Sequence, residues 1–294
     1  MHKSLVSSPD PKQAKQAREI KSLLGWARRE LRYACERPLF EAEILLAYHL
    51  GQERIYLKMH DRAIVEDVAG FEALVARRAA HEPMEYITNS VSFYDIDLYI
   101  ARGALIPRPE TEILIDKASA WIEEHGIESI AEIGVGSGAI SVVLARKFPR
   151  LKIIASDISQ EALAIAEQNI KTFGLEGQIE LRHTSLLDGI DADIEIIVSN
   201  PPYIAKHTPL APNVAEYEPH MALYSQEAGD ELLKEIIILS KERGVKCLVC
   251  EMGYDQKQAI AKFVADISAG EVEFYKDLAG LDRGFIMQPV SSGT

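Results

Sequence analysis

Cysteine is scarce in this chain, with three in 294 residues. That is too few for a disulfide framework, and it makes the cytoplasm the expected compartment. Long apolar runs are missing as well. Ile236-Ile237-Ile238-Leu239 is flanked by Glu235 and Lys241, far short of the ~20 apolar residues that span a bilayer. The first residues, Met1-His2-Lys3-Ser4-Leu5, have no apolar core of signal-peptide length. No membrane association is expected. The eight histidines show no ligand spacing, so no metal centre is expected either. Basic charge is lacking where an enzyme of nucleic acid would need it. The net charge is −13. Residues 1–85 are nearly balanced, with 14 Lys/Arg against 13 Asp/Glu, whereas the remainder holds 18 against 32. Without a basic stripe to neutralise phosphates, direct nucleic-acid binding is not expected. An acidic face suits a basic protein partner, although acidic balance also serves solubility. Hydrophobic content of 47% suffices for a proper core.

Two of the cysteines form Cys247-x-x-Cys250. The surrounding Val245-Lys246-Cys247-Leu248-Val249-Cys250 reads as a strand, where an odd spacing sends the two side chains to opposite faces. The spacing also admits a zinc or redox pair, but the opposed faces favour buried strand cysteines.

What the chain does contain is Asn200-Pro201-Pro202-Tyr203, directly after the apolar strand Ile194-Glu195-Ile196-Ile197-Val198. Proline fixes φ and lacks a ladder donor, so the strand must stop there. Asn200 is thereby held at the carboxyl edge of a sheet. Its carboxamide offers one acceptor and two donors, a match for another planar amino group, either a side-chain amide or the exocyclic amine of a base. Upstream lies Glu132-Ile133-Gly134-Val135-Gly136-Ser137-Gly138, between the strand Ser129-Ile130-Ala131 and a helical stretch from Ala139 to Ala145. Glycines allow the tight turn and the close approach of a ligand. No Gly-Lys-Ser/Thr follows, which excludes a Walker loop. A second strand, Lys152 to Ser156, ends in Asp157, about twenty residues past the glycines, where an acid accepts hydrogen bonds from ribose hydroxyls. The same residue would also serve as a helix N-cap. Together these point to an adenosyl cofactor beside an amino-group acceptor.

The combination resembles the class I S-adenosylmethionine-dependent methyltransferases of the amino-group type. Leu105-Ile106-Pro107-Arg108-Pro109-Glu110-Thr111-Glu112 narrows the resemblance to the HemK/PrmC family, the peptide chain release factor glutamine N5-methyltransferases. Val214-x-Glu216-x-Glu218-Pro219-x-x-Ala222-Leu223 and Asp277-Leu278-Ala279-Gly280-Leu281-Asp282-Arg283 are similar to the family's lid and C-terminal hairpin. The match runs from about Ser90 to Met287, and the N-terminal segment agrees in length and helical character. The chain departs from the family at Glu132 and Val135, where the family usually has Asp and Thr. Glu132 keeps the carboxylate, so cofactor binding should survive. Ser185 stands where the family often has an acid, and Leu186 holds the apolar place against adenine. After the lid, Ala228-Gly229-Asp230 replaces the family's Asp-Gly-Leu.

The resemblance implies an α/β, Rossmann-like seven-stranded sheet with its last strand antiparallel, and an N-terminal helical bundle. The expected division is 1–88 for the helical substrate-recognition domain with a loose tail (Ser7-Ser8-Pro9-Asp10-Pro11), 89–110 for a β-hairpin linker, and 111–294 for the methyltransferase domain. Helical spacing predicts helices over Ala14–Glu36, Leu39–Leu50 begun by Pro38 and ended by Gly51, and Val65–His81. Strands are expected at 129–133, 152–156, 178–182, 193–198, 245–250, 271–276 and 284–288, and their alternation with helices means a parallel sheet. Ile204 to Gln226 reads as a substrate lid. Implied cofactor-binding residues are Glu132, Gly134, Val135, Gly136, Ser137, Gly138, Asp157, Leu186 and Asn200, with Asn200, Pro201, Pro202 and Tyr203 at the reacting centre. The cofactor is S-adenosylmethionine, the product S-adenosylhomocysteine, the partner a release factor, and the expected state a monomer. Three alternatives stay open: a glutamine methyltransferase of a ribosomal protein, an adenine N6 amino-methyltransferase, and a non-catalytic binding protein that retains the fold.

Overall fold

The computed structural model describes residues 17–290. The loose tail and the start at Ala14 lie outside them. The chain divides into two compact units, with the boundary between Thr88 and Asn89.

The first unit is helical: α1 Ile20–Glu30, α2 Pro38–Leu50, α3 Arg54–Met59, α4 Val68–Ala79 and α5 Met84–Thr88, with a 3-10 turn at Leu31–Tyr33. Its core gathers Ile20, Leu23, Leu31, Leu45, Leu57 and Phe71. Pro38 opens α2, where its missing N–H has no partner to lose, and Gly51 closes it at φ 61°. Two helices are shorter than their spacing predicts. Arg18–Glu19 (β1) pairs antiparallel with Ile64–Val65 (β2). That removes both segments from helix, and tertiary pairing overrides local periodicity. At α4 the Asp67 side chain accepts from Gly70 N at 3.0 Å, so the cap falls at Asp67 and leaves Val65 outside.

The second unit opens with an antiparallel hairpin, β3 Ser90–Phe93 and β4 Ile96–Tyr99. Helix α6, Thr111–His125, follows and buries Leu114, Ile115, Ala118 and Ile122. Each full Leu or Ile burial contributes about 1.5–3 kcal/mol, which anchors the first residue of the helix, Thr111. Then come β5 Ser129–Ile133, α7 Ala139–Lys147, β6 Lys152–Asp157, α8 Gln160–Thr172, β7 Ile179–His183 and β8 Ile196–Ser199. Two helical turns, α9 Pro212–Ala215 and α10 His220–Leu223, lie in the stretch that reads as a lid. The chain ends with α11 Glu231–Arg243, β9 Cys247–Glu251, α12 Lys257–Asp266, β10 Gly270–Lys276 and β11 Asp282–Pro289.

The seven-stranded sheet runs β10-β11-β9-β8-β5-β6-β7. Strands β5 to β9 pair in parallel, and β11 is antiparallel to both its neighbours. The last strand is thus the antiparallel one, inserted between β10 and β9. From β5 the chain winds one way through β6 and β7, then returns to the other side with β8. A crevice opens at the carboxyl ends of strands at such a switch point. All five residues of β9 are buried. Leu248 and Cys250 join one core cluster, from which Cys247 is absent. Both thiols are free, and burial pushes both upward, away from thiolate chemistry. Among the described residues no helix is long and apolar enough to cross a membrane.

Candidate active site

The glycine loop and Asn200 leave two neighbouring strands side by side. Ile133 and Ser199 are register partners, and Ser199 Oγ donates to the Ile133 carbonyl at 2.7 Å. Gly134 and Asn200 therefore begin adjacent loops over a cavity of about 190 Å³.

The loop is held from below. Gly134 N and Val135 N donate to the Ser156 carbonyl at 2.9 and 3.0 Å. Asp157 Oδ2 accepts from Gly136 N and Oδ1 from Ser159 N, both at 2.9 Å. The helix cap itself is Ser159, whose hydroxyl accepts from Ala162 N, so Asp157 is spared for the loop and the cavity. Gly134 and Gly136 stand at φ 78° and 54°, and a Cβ on either would meet nothing within 4 Å. Their backbone thus faces open space that a ligand can approach closely. Gly138 differs, since a Cβ there would come within 3.3 Å of Ala166 Cβ. It lets α7 and α8 pack closely and does not line the cavity.

Glu132 is 1% exposed and accepts from both Ser141 N and Ser141 Oγ. Burial pushes its carboxyl up to about 8, against the two hydrogen bonds from Ser141. Because the folded value lies above the ordinary 4.5, the protonated form is favoured in the fold. The corresponding stability is complete below about pH 4.5 and is lost as the pH rises through about 8. Glu132→Gln, which keeps an oxygen for Ser141, should flatten the fall in unfolding temperature between pH 5 and pH 8 in calorimetry. An unchanged slope would show that Glu132 titrates normally.

Ser137, Val135 and Leu186 also line the cavity, with Ser185 beside Leu186 and Ile158 beside Asp157. Ile158 is an apolar residue 54% exposed. Among the described residues Asn200 Oδ1 accepts no hydrogen bond, while Asn200 Nδ2 donates to Thr111 Oγ1 at 3.0 Å. Pro202 reaches the cavity, whereas Pro201 and Tyr203 do not line it. The Tyr203 hydroxyl instead donates to Glu251 Oε1 at 3.1 Å, and its carbonyl accepts from Gln256 Nε2 at 2.9 Å. Gly229 is required close by, since a Cβ there would lie 2.6 Å from the Tyr203 carbonyl.

The stretch after Tyr203 is folded. Ile204 N donates to the Leu223 carbonyl, Ser225 N to the Ile204 carbonyl and Lys206 N to the Gln226 carbonyl, closing its base. Its buried Glu218 pairs with Arg108 at 2.5 Å and accepts from Ile106 N at 3.1 Å, so that Pro219, Met221 and Ala222 cover the cavity.

Residues 22–88 match the PrmC N-terminal domain and residues 111–216 the Methyltransferase small domain. Over 233 residues the chain is 38% identical to the release factor glutamine methyltransferase of Dictyoglomus turgidum, covering 78% of this chain and 83% of that one. The chain belongs to the release factor glutamine methyltransferase family. The family member of Koribacter versatilis is 34% identical, over 84% of this chain and 89% of its own. Among solved structures, the hMettl16 catalytic domain in complex with MAT2A 3′UTR hairpin 6 superposes with a TM-score of 0.53 at 17% identity, covering 67% of this chain and 77% of that one. That likeness shows the methyltransferase fold.

Within this methyltransferase, sequence reading left four residues without a role. Thr111, Arg108 and Glu218 sit inside segments that carry the family resemblance, so the signal was present although the contacts were not. Glu251 ends an ordinary-looking strand, and nothing local marks it.

Proposed function

We propose that this chain transfers a methyl group from S-adenosylmethionine to the side-chain amide N5 of the glutamine in the Gly-Gly-Gln motif of peptide chain release factors. The observation that carries the reading is the unpartnered Asn200 Oδ1, set at the mouth of a bare glycine loop in a chain of this family. The residues fit the cofactor. The open faces of Gly134 and Gly136 would admit its backbone-hugging part, Asp157 would take the ribose, and Ile158 and Leu186 would flank the adenine. Bound there, S-adenosylmethionine supplies an electrophilic methyl on a sulfonium.

The acceptor explains the rest of the site. An amide nitrogen is a poor nucleophile because its lone pair is delocalised into the carbonyl. Its proton leaves readily once the new N–C bond has formed, so the site needs orientation more than a strong base. Asn200 Oδ1 would accept an amide hydrogen, aim the nitrogen and draw electron density onto it. The Pro201 carbonyl, which the sequence offers as the second acceptor, does not line the cavity and would have to turn toward it to take the other hydrogen. Pro202 fixes the loop, and the folded lid excludes water. The reading carries with it a cytoplasmic site of action, where translation terminates.

Labelled methyl transfer from S-adenosylmethionine to a purified release factor tests this, with the Gly-Gly-Gln glutamine changed to alanine as control. Label that depends on that glutamine is expected. Label entering a ribosomal protein or DNA instead would overturn the substrate assignment. Glu218→Ala should raise KM for the release factor about tenfold, because the closed lid loses a buried ion pair and leaves Ile106 N unpaired. Steady-state kinetics with the release factor varied reads this directly, and an unchanged KM would separate the lid from substrate binding.

A further inference from the structure

The Asn200 carboxamide is symmetric in shape but not in chemistry. If it turns over, an N–H pair replaces the acceptor that faces the substrate amide. Its orientation is therefore decisive for the proposed function, on which this inference rests, and something other than shape must set it.

Glu251 is 1% exposed. The parallel register pairs Ser199 with Cys250, so Asn200 and Glu251 are the next residues on adjacent strands. Thr111, at the start of α6, stands between them. Its hydroxyl donates to Glu251 Oε2 at 2.7 Å and accepts from Asn200 Nδ2 at 3.0 Å. Tyr203 fills the other carboxylate oxygen. Burial pushes the Glu251 carboxyl up to about 6, which leaves it ionised at neutral pH. An ionised carboxylate has no proton to give and can only accept. Thr111 has one proton, and Glu251 takes it. Thr111 can then offer Asn200 nothing but a lone pair, so Asn200 must turn its NH2 inward and its Oδ1 toward the cavity.

The geometry points to Glu251 as the positioning residue that fixes the polarity of the Asn200 carboxamide, relayed through the Thr111 hydroxyl. This gives Thr111 in the Pro-Glu-Thr-Glu segment a specific task. It also explains why Tyr203 faces away from the cavity: its hydroxyl saturates the second carboxylate oxygen and holds the group in place.

Glu251→Leu removes the acceptor at similar volume. The buried Thr111 proton then finds its nearest partner in Asn200 Oδ1, and the carboxamide inverts. The expected result is a fall in kcat on the order of 100-fold, with Kd for S-adenosylmethionine unchanged. Thr111→Val removes the relay and should cost only about twofold, since Asn200 is then unbiased rather than inverted and about half the molecules keep the competent orientation. Thr111→Ser keeps the hydroxyl and should restore wild-type turnover. The decisive comparison is the double variant E251L/T111V, expected to recover to the level of T111V, because no proton remains to force the inversion. Additive losses, or an E251L variant with wild-type kcat, would overturn the proposal. Glu251→Gln discriminates less well, since its amide can still accept from Thr111 while turning its NH2 to Tyr203.

A readout independent of substrate is the side-chain amide of Asn200 in 15N-labelled protein, identified by its disappearance in Asn200→Asp. One slowly exchanging proton is expected in the wild type, with protection lost in E251L and in T111V. Protection retained in both would sink the relay even if transfer to the release factor failed. Absence of transfer by the wild type, with protection behaving as expected, would overturn the substrate reading and leave the relay standing.

Discussion

Replacing Asn200 with alanine is expected to lower kcat for methyl transfer on the order of 1000-fold while leaving Kd for S-adenosylmethionine within about threefold. The asymmetry follows from where the groups sit. The contacts proposed for the cofactor come from the loop after β5 and from Asp157 and its neighbours after β6, whose hydrogen bonds do not involve Asn200. In the proposed reaction Asn200 contributes the acceptor that aims the incoming amide. Removing it leaves the cavity intact and the nitrogen misdirected. Aspartate is no substitute, because it loses the Nδ2 donor to Thr111 and sets a second carboxylate beside Glu251. Single-turnover transfer with radiolabelled methyl gives the rate and calorimetric titration the affinity. A variant that keeps full turnover would remove Asn200 from the reaction, and one that loses both would make it a cofactor residue.

Asp157→Ala should have the opposite signature, with S-adenosylmethionine bound about 100-fold more weakly and kcat at saturating cofactor close to wild type. The side chain does two jobs. It accepts from Gly136 N and Ser159 N, and it presents a carboxylate to the cavity. Its loss leaves two N–H groups to find other partners, each costing about 1–3 kcal/mol if left unpaired, and frees a loop whose glycines have no side chains to hold them. Two orders of magnitude in affinity correspond to about 2.7 kcal/mol, within that range. Asp157→Asn should fall between, since a carboxamide can accept from one of the two N–H groups but not from both. Titration calorimetry of the three proteins orders them, and equal affinities would reassign the ribose contact.

These two opposed signatures separate what was legible in the chain from what was not. The prolines after Ile196–Ser199 stop a strand by covalent geometry, so the place of Asn200 at a sheet edge could be read without a fold. Gly134 and Gly136 occur where the backbone adopts positive φ, a requirement that few other residues meet. Asp157 ends β6 as its position after an apolar run predicts. The helical boundaries near Arg18 and Val65 were not legible, because a pairing between residues 18–19 and 64–65 leaves no local periodicity to find. The inward turn of Tyr203 was equally hidden, since it depends on Glu251, 48 residues away in the chain.

By itself, then, the sequence determined the alternation of strands and helices, the glycine turn, the strand stop at Asn200-Pro201-Pro202-Tyr203, and the absence of an apolar span or a disulfide framework. Each of these follows from backbone sterics or from apolar periodicity within a few residues. The tertiary structure decided the insertion of β11 between β10 and β9 and the meeting of the two loops at the switch between β5 and β8. It also decided the pairing of Glu218 with Arg108 and the chain from Glu251 through Thr111 to Asn200. Those depend on register and on burial. A carboxylate becomes an orienting acceptor when strands and helices far apart in the chain enclose it away from water.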